Sequence, residues 1–366
     1  MTSRRREHRK PRKKGQLLQK LALALCSVFL TLAAVEVTLR ILEPRSDPTH
    51  TSRVLPSGMR YIHLIKSTKG VVLGRETTIN AHGFRGELRP YEKPESVTRV
   101  SVFGDSHTFG TGASDHTTYP AVLEKLLNEG DRGREFQVLN FGVGGQDLSQ
   151  ILYHARQHAF RYESDIVLIT IHQGDIISSD IIVDHAKERP ATTEKKESTQ
   201  KERSTLYGIR TSLQQHSYLM RFLLPKMAAL LRRHDVDFGK SNQEYLEIAN
   251  NGAIWRKSQE NLRLFRDECR QRKVALGIVL FPAMMDFAHH PGREAHRLLA
   301  RWCGEHNISV VDLLAYFEGE DAGTLHASLL DTHPDERGYG IAARGTNALM
   351  EQILAQLNRR RPTGAE

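Results

Sequence analysis

Gly104-Asp105-Ser106-His107 follows directly on the apolar run Val100-Ser101-Val102-Phe103. A strand that ends in Gly-Asp-Ser and turns into a helix stands a hydroxyl at the rim of a sheet, where a nucleophilic serine has to be. In open α/β sheets the ligand crevice lies at the carboxyl ends of the strands. A helix starting there aims its first backbone N–H groups outward, and these can hold an oxyanion. A serine after a strand is also a common helix cap, and position alone leaves both readings open. Far along the chain, Asp331-Thr332-His333-Pro334 offers a histidine as general base and a carboxylate to orient it. In extended chain, residues two apart share a face, so Asp331 can reach the ring of His333. A backbone carbonyl holding His333 in a Ser–His dyad is the rival arrangement, with Asp335 and Asp312 poorer candidates for the acid. Such a set performs acyl transfer through an acyl-serine.

The elements that must position these residues show as an alternation. Strand-like runs rich in Val, Ile, Leu and Phe fall at 99–103, 137–141, 165–172, 274–281 and 309–313. Continuous apolar runs suit strands covered on both faces. Helical patterns lie between them at 119–128, 148–160, 253–272 and 293–306, with a closing helix from Tyr339 to about Leu357. This spacing predicts a parallel, doubly wound α/β sheet. One crossover is much too long. Within 176–252, residues 186–205 have almost no apolar content and read as a solvated loop. Residues 206–233 carry helical periodicity, read either as a lid or docking surface beside the site or as a surface insertion without function.

The net charge of +9 does not imply a nucleic-acid partner, because residues 1–14 hold eight Lys/Arg against one Glu. The apolar run Leu21–Val35 follows, extended on both sides past Lys20 and Glu36. A bilayer core needs roughly 20 apolar residues. Glu36 and Arg40 are spaced i,i+4 and can pair. The basic flank predicts an N-terminus that stays inside, and it suits the anionic inner leaflet. A cleaved signal peptide is the other reading. Both send the rest of the chain across the membrane. Cys269 and Cys303 allow one disulfide or two buried thiols. Among 18 His, none shows a zinc spacing such as His-Glu-x-x-His. No metal and no cofactor are expected.

Gly104-Asp105-Ser106, Asn140-Phe141-Gly142 and Asp331-Thr332-His333-Pro334, in that order, resemble the successive blocks of the SGNH/GDSL hydrolase superfamily. The stretch from Arg99 to Pro120, with Ile79–Gly86 before it, resembles a membrane-anchored bacterial branch. The resemblance covers roughly residues 78–175 and 274–350. It implies a three-layer α/β/α flavodoxin-like sandwich with a mostly parallel five-stranded sheet, behind an N-terminal transmembrane helix. It also implies Ser106 as nucleophile, His333 as base, and the Ser106 and Gly142 backbone N–H groups as oxyanion donors. Two departures stand out. The third block of the family reads Gly-x-Asn-Asp, whereas here His172-Gln173-Gly174-Asp175 puts Gly174 where the Asn donor belongs. Gln173 or His172 is left to substitute, and along a strand they point opposite ways. The acid also stands one position closer to the His than usual, at Asp331 in place of Leu330.

The expected organisation is a basic cytoplasmic tail at 1–16, a transmembrane anchor or signal peptide at 17–42, and a stalk and edge segment at 43–97. An SGNH-like domain spans 98–358 with its insertion at 176–252, and a basic tail closes the chain at 359–366. The expected function is extracytoplasmic hydrolysis of an acyl ester, with an acylated small molecule or carbohydrate as partner and no nucleic acid. O-acyl transfer to an envelope or extracellular glycan is the alternative enzyme, and a non-catalytic membrane-anchored binding module is the alternative class. Oligomeric state is not legible.

Overall fold

A computed structural model describes residues 13–42, 46, 47, 49–55, 59–129, 133–172, 174–176, 217, 219 and 236–360. The chain divides into two compact units, one of Met1–Glu43 with Lys196–Leu231, the other of Pro44–Lys195 with Arg232–Glu366. In the first unit, α1 spans Lys13–Leu42. Its part Gln19–Leu42, 24 residues, is apolar and long enough to cross a membrane. At 1.5 Å per residue that is about 36 Å, against about 30 Å of hydrocarbon. Glu36 accepts from Arg40 Nε at 2.7 Å, from Ser217 Oγ at 2.8 Å and from the Leu219 N–H at 2.7 Å.

The second unit is built on five parallel strands: β5 (Val97–Gly104), β6 (Glu135–Gly142), β7 (Ile166–His172), β8 (Ala275–Phe281) and β9 (Ser309–Asp312). Their order is β6-β5-β7-β8-β9. The chain starts in β5, steps out to β6, and crosses back to β7. The direction of winding therefore reverses between β5 and β7, and in open α/β sheets the strand carboxyl ends at such a point are where ligands bind. The strands alternate their side chains between two cores. Val167, Ile169 and Ile171 face α4 (Leu148–His158), α6 (Ala253–Gln271) and α7 (Arg293–Glu305). Ile166 and Leu168 face α3 (Tyr119–Asn128) and α9 (Glu336–Arg360). Each such side chain contributes about 1.5–3 kcal/mol on burial. Two covered faces are what the unbroken apolar runs require. Cys269 and Cys303 are separate buried thiols, and burial pushes both up to about 12.

The segment expected as a stalk is ordered differently. It forms two antiparallel hairpins, β1 (His50–Val54) with β2 (Arg60–Leu64) and β3 (Thr68–Val72) with β4 (Arg75–Ile79). Leu64, Val72, Leu73 and Ile79 pack on Phe109 and Val143, which lie close to the Ser106 turn. The polar composition concealed β1 and β2, because β1 is exposed throughout and they gain their apolar contacts only from distant segments, whereas the edge strands expected within 70–79 fall in β3 and β4. Gln146 and Gln150 dock β2 by bonding the C=O and N–H of Ile62 at 2.7 and 3.1 Å.

Edge strand β6 is closed to further pairing. Asn128 bonds both the N–H and C=O of Phe136, Glu124 accepts the Val138 N–H at 2.6 Å, and the Arg85 N–H donates to the Asn140 carbonyl. Within the long crossover, α5 (Val236–Ala249) is a helix that buries Glu244. The expected loop at 186–205 lies outside the described residues, as do residues 206–233 apart from Ser217 and Leu219 and both basic ends, 1–12 and 361–366.

Candidate active site

Asp105 ends the turn out of β5 and caps α2 (Ser106–Phe109), its carboxylate accepting the His107 N–H at 2.9 Å. Gly104 is needed behind it, because a Cβ there would stand 2.2 Å from Thr108 Oγ1 and 2.9 Å from Thr170 Cβ. Gly110 closes the single helical turn in the left-handed region (φ 89°) and donates to the Ser106 carbonyl. Ser106 is the first residue of α2, so its N–H takes no part in the helix ladder.

His333 meets this turn from 227 residues away, its Nε2 2.7 Å from Ser106 Oγ. On the other side of the ring, Nδ1 lies 2.6 Å from Asp331 Oδ1. The same Oδ1 accepts the His333 backbone N–H at 3.0 Å, a local side-chain turn that pins the carboxylate beside the ring. Ser328 Oγ accepts the Asp331 N–H, and the Ala327 N–H donates to the His333 carbonyl, which closes the loop on itself. Burial alone would lower the His333 pKa. The hydrogen bond that His333 donates to Asp331 and the charges of Asp331 and Asp105 outweigh it, and the pKa is raised. The two-residue spacing thus brings the Asp331 carboxylate and the His333 ring together.

Behind Ser106 lies a second group. Asp105 Oδ2 is 3.2 Å from His107 Nδ1, 3.8 Å from His172 Nδ1 and 3.4 Å from Ser106 Oγ. Burial opposes ionisation of Asp105, but His107 and His172 hold its pKa below the usual carboxylate range. Burial, then His107 and His333, keep His172 well below its ordinary value. These three side chains lie close enough to suggest a metal site. The rings of His107 and His172 are stacked, however, 3.8 Å apart and 22° from coplanar. In-plane lone pairs on stacked rings run side by side and do not converge on one ion; Asp105 hydrogen-bonds to His107, and His172 stacks on that ring.

The expected oxyanion donors are placed less simply. The Gly142 N–H is accepted by Asn140 Oδ1 at 3.0 Å, so it does not face the site as a free donor. Gly142 answers to packing, since a Cβ there would meet the Phe109 nitrogen at 2.0 Å. Gly144 faces the serine, its constructed Cβ 3.7 Å from Ser106 Cβ. Gly174, at φ 89°, donates its N–H to Glu244 Oε2 at 3.1 Å. Gln173 lies outside the described residues. Glu244 is buried, which raises its carboxyl to about 7. No spacing in the sequence marks Glu244 as site-forming, whereas Asn140 and Arg85 stand in segments legible by resemblance.

No family model matches this chain, and no curated protein matches it. Among solved structures it is similar to a putative lipolytic protein of the G-D-S-L family from Desulfitobacterium hafniense, at 13% identity and a TM-score of 0.40 over 69% of this chain and 99% of that one. A catalytic mutant of an acetylxylan esterase from Geobacillus stearothermophilus is similar at 14% identity and a TM-score of 0.41, over 69% and 94%. An alpha/beta hydrolase enzyme from the metagenome of Lake Arreo, Spain, is similar at 14% and 0.41, over 72% and 98%. Likenesses this distant carry nothing about the reaction, which rests on the residues of the site.

Proposed function

We propose that this protein is a serine-dependent acyl-ester hydrolase, anchored by Gln19–Leu42 with its N-terminus in the cytoplasm and its α/β unit outside. The observation that carries the reading is the unbroken chain Ser106 Oγ–His333 Nε2 at 2.7 Å and His333 Nδ1–Asp331 Oδ1 at 2.6 Å. Asp331 holds the proton on Nδ1, which leaves the Nε2 lone pair for the serine. Nε2 takes the Oγ proton as Oγ bonds to the ester carbonyl carbon. The oxyanion that forms is held by the Ser106 N–H at the start of α2. His333 then gives its proton to the departing alcohol. Water, deprotonated by the same nitrogen, releases the acid and restores Ser106.

With the Asn donor replaced by Gly174, a small, activated acyl group such as acetyl is the proposed cargo, carried on a carbohydrate of the cell envelope or its surroundings. The test is covalent labelling of the full-length protein by a fluorophosphonate. Labelling of wild type and none of Ser106→Ala, with turnover of p-nitrophenyl acetate, is expected. A folded protein that neither labels nor turns over would favour a binding module. An acetylated sugar in excess of free acetate, once a glycan acceptor is supplied, would convert the reading to transfer.

A further inference from the structure

We propose that Arg85 is a positioning residue that sets the distance between Ser106 and His333, a role that rests on reading Ser106 as the nucleophile. The segment Ile79–Gly86 is folded as a device for inserting one guanidinium. Asn80 Oδ1 accepts the N–H groups of His82, Gly83 and Phe84 at 3.0, 3.1 and 3.3 Å, and its Nδ2 donates to the carbonyls of Gly86 and Glu87. Gly83 and Gly86 turn the chain at φ 90° and 98°. Phe84 anchors the turn against Phe141 and Tyr162. The result is an Arg85 that is 3% exposed.

Every nitrogen of that guanidinium is used. Nη1 donates to the Phe109 and Gly110 carbonyls at 2.9 and 2.8 Å. Nη2 donates to the Ala113 carbonyl at 2.6 Å and to Thr77 Oγ1 at 3.2 Å. Nε donates to Asp115 Oδ1 at 2.9 Å, and the guanidinium lies 4.8 Å over the Phe109 ring. Asp115 in turn takes the Thr78 N–H. The carbonyls of Phe109 and Gly110 end the helix that Ser106 begins, so a cation sits at its negative end. With only four residues in α2, a displaced Phe109 carries Ser106 with it, through the bonds from the Phe109 N–H to the Asp105 carbonyl and from the Gly110 N–H to the Ser106 carbonyl.

The same loop touches the His333 loop on its other side. A Cβ on Gly112 would meet Ala327 Cβ at 2.4 Å and the Pro334 carbonyl at 3.3 Å. Tyr339 Oη donates to the Thr111 carbonyl, and Glu336 accepts from Ser114 and Thr117. Residues 109–117 are thus a spacer between nucleophile and base, and Arg85 fixes its shape. A planar fork reaching four carbonyls, that of Glu76 included, has no equivalent in lysine.

The experiment uses full-length protein in detergent, with the reactive serine counted by burst titration so that kcat is expressed per competent site. For Arg85→Lys, kcat per site is expected to fall about tenfold to a hundredfold, the cost of roughly 1 Å of misplacement. KM for p-nitrophenyl acetate should move by less than about twofold. Guanidinium ion should restore part of the rate of Arg85→Ala, entering by the cleft of about 500 Å³ that Arg85 and Asp115 help line, and methylammonium should not. An arginine of purely structural importance would lower the Tm and the competent fraction but leave kcat per site unchanged, and that result overturns the proposal. If wild type itself forms no acyl-serine, the nucleophile reading and the role built on it fall together. If neither Arg85 variant folds, Asp115→Asn replaces them, with a severalfold loss of kcat per site expected and an unchanged value overturning the role.

Discussion

Replacing Asp331 by Asn separates two things a carboxylate does for its histidine. In the proposed reaction it selects the tautomer, and it stabilises the imidazolium that forms when Ser106 loses its proton. Loss of both costs up to about 10⁴ in rate. Here the Asp331 Oδ1 that meets the ring at 2.6 Å is also held by the His333 backbone N–H at 3.0 Å. An Asn at 331 should keep its carbonyl oxygen in that place, because its NH2 cannot accept the backbone proton. The tautomer is then preserved and only the ionic part of the bond is lost. A hydrogen bond to a charged group is worth about 1.5–3 kcal/mol, which converts to roughly 10- to 150-fold in kcat.

The pH profile gives an independent reading. Because His333 stands above its ordinary 6.5, kcat/KM of wild type should rise with pH through a midpoint above that value, as the base loses its proton. The Asn variant should show the midpoint moved down and a lower plateau. The linked stability runs the other way. A histidine raised by folding contributes stability that is present below the unfolded pKa and is lost as pH rises through the folded one. The assay is p-nitrophenyl acetate hydrolysis from pH 5 to 9, with thermal unfolding alongside. A loss near 10⁴ would refute the pinned oxygen, and a midpoint that stays put or climbs would refute Asp331 as the cause of the raised pKa.

Gly142→Ala should lower the Tm and the yield of labelled protein, since its Cβ would meet the Phe109 backbone at 2.0 Å, with overpacking costs of about 1–3 kcal/mol or more. Gly144→Ala, whose Cβ has ordinary contact distance to Ser106, should leave the Tm within error, and a large drop there would contradict the open face. Burial raises Glu244 from 4.5 to about 7, so its contribution is present below 4.5 and is lost as pH rises through about 7, on the order of 3 kcal/mol. Glu244→Gln should therefore unfold at a higher temperature than wild type at pH 8 and differ little at pH 5, with equal shifts at both counting against it. A reporter fused after Glu366 should read out as extracytoplasmic, and a cytoplasmic signal would sink the proposed topology.

Several features were legible without coordinates. The five strand runs and the helices between them show in the sequence because strands covered on both faces must be apolar throughout, and β7 from Ile166 to Ile171 shows it most clearly. The apolar stretch in α1 is equally local, as is the Gly-Asp-Ser turn after β5. Asp331 and His333 could be paired on the page because two-residue spacing is a property of backbone geometry. The hairpin at 50–64 could not, since exposed polar strands acquire their apolar partners only when the chain folds back, whereas edge strands within 70–79 are legible in the sequence.

The same limit governed the site. Gly142 and Gly144 are equal in sequence, and only packing against α2 assigns one to the Phe109 backbone and leaves the other facing Ser106. Glu244 reaches Gly174 from a helix 70 residues away, and Arg85 reaches three carbonyls across a spacer no periodicity announces. Residue types and local spacing are written in the chain, so the candidates Ser106, His333 and Asp331 could be read from it. What packs against Gly142, and what brings Ser106 and His333 within 2.7 Å, depend on contacts between distant segments, and those exist only in the folded protein.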